Sequence, residues 1–238
     1  MTSQTTDGAP ATDEDDPSSV WPITDDDLCR RFEAVPTAAI NDVLRTRGLL
    51  RRVLPPSIVE LQSGRRMAGI VFTISGAVST ALRGEMEERA QMLEAIGPNS
   101  VCVWETGGDE ESAQWGEIMT MAAMKRGCRG AVIDGGIRDA DRILDLDFPV
   151  FSRYRTSNGM LGRFRLTHWQ RPVAIGGVEI VPGDVIVGDI DGVIVVPQGL
   201  AFEVLVEAEQ IVENEVEFKE MILSGVSPRD VVARGGYF

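Results

Sequence analysis

The chain between residues 100 and 154 alternates strand-like and helix-like segments, and this alternation constrains the fold more than any other feature. The runs SVCVWE, GAVID and FPVFSRY are short and apolar, as buried strands are. Between them lie QWGEIMTMAAMKRG and DADRILDLD, which predict two helices, the first ending at Gly127. Upstream, MAGIVFTISGAV predicts a strand and EMEERAQMLEAIG a helix. Strands that alternate with helices are typical of an α/β domain.

The last third of the sequence has a different pattern. PVAIGGVEIVPGDVIVGDIDGVIVVP consists of short β-rich runs separated by Gly-Gly, Pro-Gly-Asp and Asp-Gly turns, which predicts a compact β layer. A long amphipathic helix is then expected from Leu200 to Ser224, followed by a short helix after Ser227.

The N-terminus has the composition of a tail. The stretch TTDGAPATDEDDPSS is acidic and poor in large apolar residues, so residues 1–20 are predicted to be disordered. Order is expected to begin near Trp21, with a first helix capped by Thr24 and a second running from Thr37 to Gly48. Because no repeat or linker interrupts the remainder, residues 21–238 are predicted to form one mixed α/β domain.

Charge and cysteine content exclude several classes of protein. The formal net charge of −14 disfavours nucleic acid as a direct ligand, because duplex binding depends on Lys and Arg. No apolar run approaches the roughly 20 residues that cross a bilayer, and the opening residues lack a secretory signal. We therefore expect a cytoplasmic protein without membrane contact. Three widely spaced cysteines, Cys29, Cys102 and Cys128, predict core side chains rather than a disulfide framework or a zinc ribbon.

A cation and a carboxylate, Arg138 and Asp139, stand side by side just after the strand-like GAVID and a glycine pair. Such a pair is often only a capping aspartate beside a solvated arginine. Here, however, it follows the carboxyl end of a predicted strand, where α/β sheets tend to bind ligands. Gly135 and Gly136 would also allow a ligand or backbone to approach closely.

The preceding helix adds a glycine and an acid at its predicted start, Gly116 and Glu117. A helix N-terminus offers free N–H groups and the positive end of the helix dipole. The backbone amides of Ile118 and Met119 are therefore candidates for binding a substrate carboxylate.

These residues together predict a site for an anionic substrate and a metal. Arg138 is placed to contact an oxygen that gains negative charge. Asp139 and Glu117 offer the few carboxylate oxygens that Mg²⁺ prefers, with water and substrate completing its shell. The single histidine, His168, excludes a multi-histidine zinc site and disfavours a Ser-His-Asp triad.

The sequence motifs of this region resemble those of a known family. GEIM, KRGCRGAVIDGGIRD, PVFSR and the β-rich stretch after residue 171 are similar to the class II 4-hydroxy-4-methyl-2-oxoglutarate aldolases. The same RraA-like family contains the regulator of ribonuclease activity A, and the resemblance covers most of the chain after residue 30. It implies a single swivelling β/β/α domain with a β-rich central layer and C-terminal helices. It also implies a homotrimer or hexamer with sites between subunits.

The resemblance also implies roles for individual residues. Arg138 would contact a 2-keto acid and polarise the forming enolate. Asp139 would carry Mg²⁺ or Mn²⁺, largely through water, with Glu117 beside it. The amides of Ile118 and Met119 would contact the pyruvate carboxylate.

A glutamate from the C-terminal helix of the neighbouring subunit would complete the site, according to the same resemblance. Glu213 and Glu215 are the candidates, although both are also typical of a solvated helix face. The chain departs from many relatives at Arg142, where they carry an acid, and in LRGEMEERA, which lacks a histidine. Substrate specificity has further candidates in a loop-like stretch, Arg163, Arg165 and His168, which are equally typical of surface residues.

These features predict a metal-dependent lyase that cleaves a 4-hydroxy-2-oxo acid into pyruvate and a second carbonyl compound. The electrons of the broken bond would enter a pyruvate enolate, and the same chemistry would allow oxaloacetate decarboxylation. No Schiff-base lysine is required, and Lys125 is expected to be a surface charge at a helix end. The alternative is a non-catalytic protein that binds and regulates an RNA-degrading enzyme. Glu117 favours the lyase, because a pure binder does not need the acid–Arg–Asp set.

Overall fold

The computed structural model of the chain describes residues 20–236. The helices are α1 (Asp25–Ala34), α2 (Thr37–Thr46), α3 (Met86–Glu94), α4 (Glu117–Lys125), α5 (Ala140–Asp145), α6 (Ala201–Leu223) and α7 (Pro228–Ala233). The strands are β1 (Val59–Glu60), β2 (Met67–Val78), β3 (Ser100–Glu105), β4 (Ala113–Trp115), β5 (Gly130–Ile137), β6 (Val150–Arg155), β7 (Phe164–Trp169), β8 (Val173–Ile175), β9 (Val178–Ile180), β10 (Val185–Asp189) and β11 (Gly192–Val196).

Within residues 20–236, nine strands form one mixed sheet in the order β1-β6-β5-β3-β2-β10-β11, with β4 beside β5 and β7 beside β2. The neighbours β2, β3, β5 and β6 run parallel. Helices α3, α4 and α5 connect them, as parallel neighbours require. The later strand β10 is antiparallel to both β2 and β11. The parallel part of the sheet therefore directs the carboxyl ends of its strands to one edge.

Both faces of the sheet are covered, in three layers. On one face α3, α4 and α5 pack over apolar side chains of β2, β3 and β5, and α1, α2 and α6 pack over β10 and β11. On the other face lies the two-stranded hairpin of β8 and β9. Side chains alternate accordingly along β5, where Ile133 joins the helix-covered core and Val132 joins the core beneath the hairpin. Hairpin, sheet and helices confirm the predicted β/β/α architecture with C-terminal helices.

The predicted helix ends are confirmed where a polar side chain marks them. Thr24 caps α1 by accepting a hydrogen bond from the Asp27 amide at 3.2 Å. Ser227 caps α7 in the same way. The long C-terminal helix, predicted from Leu200 to Ser224, is present as α6 (Ala201–Leu223).

Three local predictions are corrected. Gln114 and Trp115 lie in β4 rather than in the following helix, because β4 pairs with the end of β5. The strand that contains GAVID continues through the glycine pair to Ile137. The stretch around Arg165 is strand β7, antiparallel to β2, and not a loop.

The structure bears on three further expectations, which concern the N-terminal tail, membrane-spanning helices and the cysteines. Of the predicted tail, residues 1–19 lie outside the described residues, and Val20 is exposed. Across residues 20–236 no helix is long and apolar enough to cross a membrane. The three cysteines are buried and form no disulfide, which confirms their prediction as core side chains.

Candidate functional site

Asp139 directs its carboxylate away from the helix that it precedes. Its backbone is left-handed, with φ 55° and ψ 36°, a conformation that aspartate adopts more readily than most residues. The Asp139 side chain does not cap α5. Instead, its Oδ2 lies 3.4 Å from the amide nitrogen of Glu117, at the start of α4. Asp139 therefore does not cap the helix that follows it, and its carboxylate meets the start of α4 instead.

Arg138 is anchored by its backbone and open at its side chain. Its amide donates to the Trp115 carbonyl oxygen at 3.0 Å, which continues the β4–β5 pairing beyond both strands. Its Nε lies 3.5 Å from Asp139 Oδ2, and the two side chains are 51% and 40% exposed. Water screens an ion pair that is this exposed, so little free energy holds the two groups together. Both remain available to a ligand.

Two glycines border these side chains, and a larger residue at either position would displace the Arg138 or Asp139 side chain. A Cβ atom on Gly116 would lie 2.8 Å from Asp139 Oδ2 and 3.3 Å from Arg138 Cγ. On Gly159, a Cβ atom would lie 2.9 Å from Arg138 Nη1. Gly159 is held in place because the preceding Asn158 carbonyl accepts the Ala113 amide at 2.8 Å. The arginine therefore lies in a slot between the start of α4 and the loop after β6.

The N-terminus of α4 faces this slot and is only partly capped. Its N-cap residue, Gly116, has no side chain, and the Glu117 amide donates to Asp139 Oδ2 at 3.4 Å, which leaves the amides of Ile118 and Met119 as the free N–H groups of the first turn. Ile118 is 73% exposed, whereas Met119 is only 7% exposed and belongs to the core. The side chain of Glu117 forms no hydrogen bond or ion pair with any residue that the structure describes. Arg138 and Asp139 thus lie together at the start of α4, next to Gly116.

A network of buried polar groups that the sequence did not reveal fixes β4 against β5. Asp109 Oδ2 accepts hydrogen bonds from the Ser112 amide at 2.8 Å and from Gln114 Nε2 at 2.7 Å. Gln114 Oε1 accepts from the Gly136 amide at 2.9 Å. The Tyr154 hydroxyl donates to the Ser112 carbonyl at 3.0 Å, and burial together with the Asp109 charge raises the pKa of Tyr154. These hydrogen bonds therefore fix the end of β5, which Arg138 directly follows.

A second unpredicted pair lies deeper in the same strand. Asp134 is buried and forms a hydrogen-bonded ion pair with Arg153 of β6, which also donates to the Ser57 hydroxyl. Burial raises the pKa of Asp134, and the opposing effect of Arg153 is smaller. The only sequence signal for this pair was a charged residue at the same point of two adjacent strand-like runs.

The C-terminal glutamates are not part of this cluster in a single chain. Both lie on α6, which packs with α1 and α2, whereas α4 and α5 belong to the other helix-covered core. Glu215 pairs with Lys219 at 2.7 Å, and Glu213 is 3.4 Å from Gln210 Nε2. Their expected contribution to a neighbouring subunit remains a prediction.

The other candidate residues have varied surroundings. Arg165 pairs with Glu88 at 2.9 Å, and His168 lies on β7 with its Nδ1 3.2 Å from the neighbouring Thr167 hydroxyl. Arg163 Nη1 donates to the Gly159 carbonyl at 3.4 Å, so it contacts the residue that borders Arg138. Arg142 and Lys125, the latter at the end of α4, are both exposed.

The donors at the site suit a hydrated divalent cation. In the part of the chain that is described, no three His, Cys, Asp or Glu side chains converge to hold a metal ion. Asp139 Oδ1, however, has no hydrogen-bond partner among the described residues, and Glu117 lies beside it in the site. Mg²⁺ commonly binds one or two carboxylates and keeps several water molecules. The residues therefore fit Mg²⁺ or Mn²⁺ held largely through water, and do not fit a closed protein cage.

Comparison with known proteins places this geometry in a family. The family model described as RraA-like, Aldolase/RraA, matches residues 37–195, which is more than half of the chain. The chain belongs to the RraA-like family. A Halalkalibacterium halodurans protein, provisionally named 4-hydroxy-4-methyl-2-oxoglutarate aldolase, is 34% identical over 77% of this chain and 83% of its own length. Two further relatives are matched over less of their length: the chain spans 30% of Legionella pneumophila DlpA and 60% of an uncharacterized Methanocaldococcus jannaschii protein.

Solved structures agree with the family fold. One, described among novel cellulases from microbes of the gut ecosystem, is 46% identical with a TM-score of 0.81, covering 84% of this chain and 90% of that one. Another, Streptomyces coelicolor RraAS2, is described as an unusual member of the RNase ES inhibitor RraA family. It is 29% identical with a TM-score of 0.72, covering 82% of this chain and 97% of that one. The shared architecture therefore extends over most of the RraA-like chain.

Proposed function

We propose that this RraA-like protein is a divalent-metal-dependent lyase that cleaves a 4-hydroxy-2-oxo acid into pyruvate and a second carbonyl compound. The observation that carries the proposal is the grouping of Arg138 and Asp139 at the N-terminus of α4, where the N-cap residue is a glycine and Asp139 accepts only the Glu117 amide. Family membership and the provisional aldolase name of the H. halodurans relative support it.

Substrate binding would use the backbone more than side chains. The amides of Ile118 and Met119 offer hydrogen bonds and the positive end of the helix dipole to the substrate carboxylate. The absence of a side chain at Gly116 leaves this helix end open. With the carboxylate fixed there, the 2-keto oxygen would lie toward Arg138.

Bond cleavage would place charge on that keto oxygen. The C4 hydroxyl loses its proton to solvent and becomes the second carbonyl as the C3–C4 bond breaks. The electron pair of that bond forms the C2–C3 double bond, so the keto oxygen becomes an enolate oxygen, and a proton taken up at C3 then gives pyruvate. The guanidinium of Arg138 would donate hydrogen bonds that strengthen as this charge develops, which lowers the barrier. Because the slot of Gly116 and Gly159 restricts the arginine, little reorganisation would be needed at that moment.

A metal ion would add Lewis-acid stabilisation of the same developing charge. Asp139 would hold it, with Glu117 beside it, through carboxylate oxygens and water. The proposal includes a homotrimer or hexamer, in which Glu213 or Glu215 of a neighbouring subunit completes the site. It also includes a small 2-keto acid as the partner and the cytoplasm as the location.

Binding and regulation of an RNA-degrading enzyme is the second candidate function. It is favoured by the likeness to Streptomyces coelicolor RraAS2, which is described as belonging to an RNase inhibitor family. A binder does not require an open helix N-terminus with an arginine and two carboxylates around it. The lyase therefore explains more of the geometry.

The test is to incubate purified protein and Mg²⁺ with a panel of 4-hydroxy-2-oxo acids and oxaloacetate, and to measure pyruvate. A cello-oligosaccharide is included because the 46% identical structure is described among cellulases. Pyruvate release that stops in excess chelator and returns with Mg²⁺ or Mn²⁺ is expected. Activity that is unchanged in chelator would contradict the metal dependence. Inhibition of a ribonuclease without any pyruvate release would favour the second function.

A further inference from the structure

Two buried cysteine sulfurs face each other at the end of α4 opposite the candidate site. Cys102 lies in β3 and is fully buried, and Cys128 follows α4, just before β5, with 7% of its surface exposed. Their Sγ atoms are 3.8 Å apart. The two residues are 26 positions apart in the sequence, so the fold rather than local chain geometry brings the sulfurs together.

The separation suits two thiols that can be joined. A disulfide requires the sulfurs to approach to about 2.05 Å, so they must move together by roughly 1.8 Å. Cys128 lies in the turn between α4 and β5, where its amide donates to the Ala123 carbonyl at 3.0 Å. Gly127, the preceding residue, has a φ of +78° and bends the chain at this point. Cys102 is fixed in the β3 ladder, so the movement that closes the bond would fall on the turn that carries Cys128.

We propose that Cys102 and Cys128 form an oxidisable dithiol, a modification site that takes a hydroperoxide and becomes an intrachain disulfide. This site is independent of the lyase function. The Cys128 thiolate would attack one peroxide oxygen, so that an S–O bond forms, the O–O bond breaks and hydroxide leaves. The Cys102 sulfur would then attack the resulting sulfenic sulfur, so that the S–S bond forms and a second hydroxide leaves. The two thiol protons convert both hydroxides into water, so the dithiol loses two electrons and the peroxide gains them.

The electrostatics of the pair support this order of events. Donation from the Cys102 thiol lowers the pKa of Cys128 to about 7, whereas the pKa of Cys102 itself is raised. Cys128 is 7% exposed whereas Cys102 is fully buried, so Cys128 lies nearer to solvent. The thiolate is the reactive form, and the lowered pKa makes Cys128 the thiol of the pair that ionises more readily.

The third cysteine is a control within the same chain. Cys29 is fully buried, and burial raises its pKa to about 12. Its Sγ is 3.8 Å from the Asn99 carbonyl oxygen, and it forms no sulfur contact within the described residues. Peroxide should therefore leave Cys29 reduced under conditions that join the other two.

The experiment is to treat the folded full-length protein with graded hydrogen peroxide, alkylate the remaining thiols under denaturing conditions, and map linkages by non-reducing peptide mass spectrometry. The expected product is a Cys102–Cys128 linkage with the loss of two hydrogen atoms, while Cys29 is alkylated. A dithiol reductant should reverse it. The rate should rise with pH and reach half its maximum near the Cys128 pKa of about 7.

Variants separate this site from general oxidation. Cys29→Ser should form the same linkage, whereas Cys102→Ser should leave Cys128 as a sulfenic acid that reacts with dimedone. If a variant does not fold, the linkage map of the wild-type protein still decides the question. Alkylation of all three cysteines after peroxide treatment, or a linkage that forms only once urea has unfolded the chain, would overturn the proposal.

Discussion

At the residue scale, Arg138 and Asp139 are adjacent in sequence but are held by different parts of the fold. The Arg138 backbone completes the pairing with β4, and its side chain lies between Gly116 and Gly159. Asp139 uses a left-handed backbone to turn its carboxylate to α4 instead of α5. Each side chain is exposed enough to meet a ligand, and neither contributes to the apolar core. Changes at either residue should therefore affect chemistry much more than stability.

Arg138→Ala should reduce pyruvate release by about 100- to 1000-fold, the usual cost of removing one donor to a developing oxyanion. Its melting temperature should stay near the wild-type value, because a half-exposed side chain is lost. Arg138→Lys should recover only part of the activity, since lysine keeps the charge without the planar fork. Steady-state kinetics and thermal unfolding of the same preparations check both expectations. Near-normal turnover in both variants would contradict a role for the arginine in the reaction.

Gly159→Ala tests the slot without touching a charged residue. Among residues 20–236, the only atoms that the new Cβ would meet within 4 Å are those of the Arg138 guanidinium, and Gly159 does not have a left-handed backbone. The fold should therefore be kept while the guanidinium moves, and kcat should fall about ten- to a hundredfold. Gly199→Ala, where a Cβ would meet nothing within 4 Å, is the matched control. Adding Gly159→Ala to Arg138→Ala should cause no further loss. A full additive loss would show that Gly159 acts elsewhere.

At the element scale, β5 has polar contacts at two places along its length. Asp134 in its interior forms the ion pair with Arg153, and just after its end the Arg138 amide donates to the Trp115 carbonyl. The raised pKa of Asp134 shows that burial outweighs the ion pair. Removing only the arginine would leave a buried carboxylate without its charged partner.

Arg153→Met should destabilise the fold by about 2–4 kcal/mol, somewhat below the cost of breaking a fully buried pair because Arg153 is partly exposed. Arg165→Met is the matched control. Its pair with Glu88 is half-exposed, so it should cost no more than about 1 kcal/mol. Denaturant unfolding of the three proteins measures the difference. Equal losses in both variants would contradict a special role for the buried pair.

The pH dependence of the Arg153→Met loss has a definite sign. Arg153 lowers the pKa of Asp134, so its removal raises that pKa further above the unfolded value. The folded variant then binds a proton more tightly than the unfolded chain does. Its deficit relative to wild type should therefore shrink as the pH falls from neutral toward about 4. A deficit that grows with acid would rule out Asp134 as the source.

Sequence patterns predicted the long elements because their composition or spacing is distinctive. β2 is rich in small and β-branched residues and is buried on both faces, whereas α6 buries one side at helical spacing. The polar residues Thr24 and Ser227 marked helix starts. β4 was missed because three residues are too few to show a period, and its pairing depends on a side chain, Gln114, that bonds to the next strand.

The sequence indicated the site residues that lie near one another in the chain, but not the residues from distant elements that position them. Arg138, Asp139 and the start of α4 were recognised because charged residues and glycines followed a strand or preceded a helix. Gly159 was not recognised, since its role depends on a loop more than 20 positions from Arg138 in the sequence. The Asp109 network and the Asp134–Arg153 pair likewise join residues from separate elements, which no local pattern encodes.

At the scale of the whole molecule, the candidate site and the long C-terminal helix lie at different hydrophobic cores. The site lies at the core that α4 and α5 cover, whereas α6 packs with α1 and α2 over the other. The site offers Asp139 and Glu117 from one chain, and in the proposed assembly Glu213 or Glu215 would come from another copy. In the proposed trimer or hexamer, activity would therefore depend on assembly. It would not do so if each subunit held a complete site.

Glu213→Gln and Glu215→Gln should test that consequence. One of the two should lower kcat by about tenfold or more while native mass spectrometry still shows the wild-type assembly. Glu217→Gln, two residues further along the exposed helix, should behave as wild type. A stable, fully active monomer would contradict a shared site, and unchanged activity in both variants would remove these glutamates from it.

The central claim is that this site stabilises a pyruvate enolate through Arg138. Exchange of the pyruvate methyl protons in D₂O, followed by proton NMR with Mg²⁺ or Mn²⁺ present, tests it without knowledge of the rest of the substrate. Wild-type protein should exchange these protons well above the metal-only background, and Arg138→Ala should do so at least about 100-fold more slowly. Exchange at the background rate in wild type, or at equal rates in wild type and Arg138→Ala, would contradict the claim.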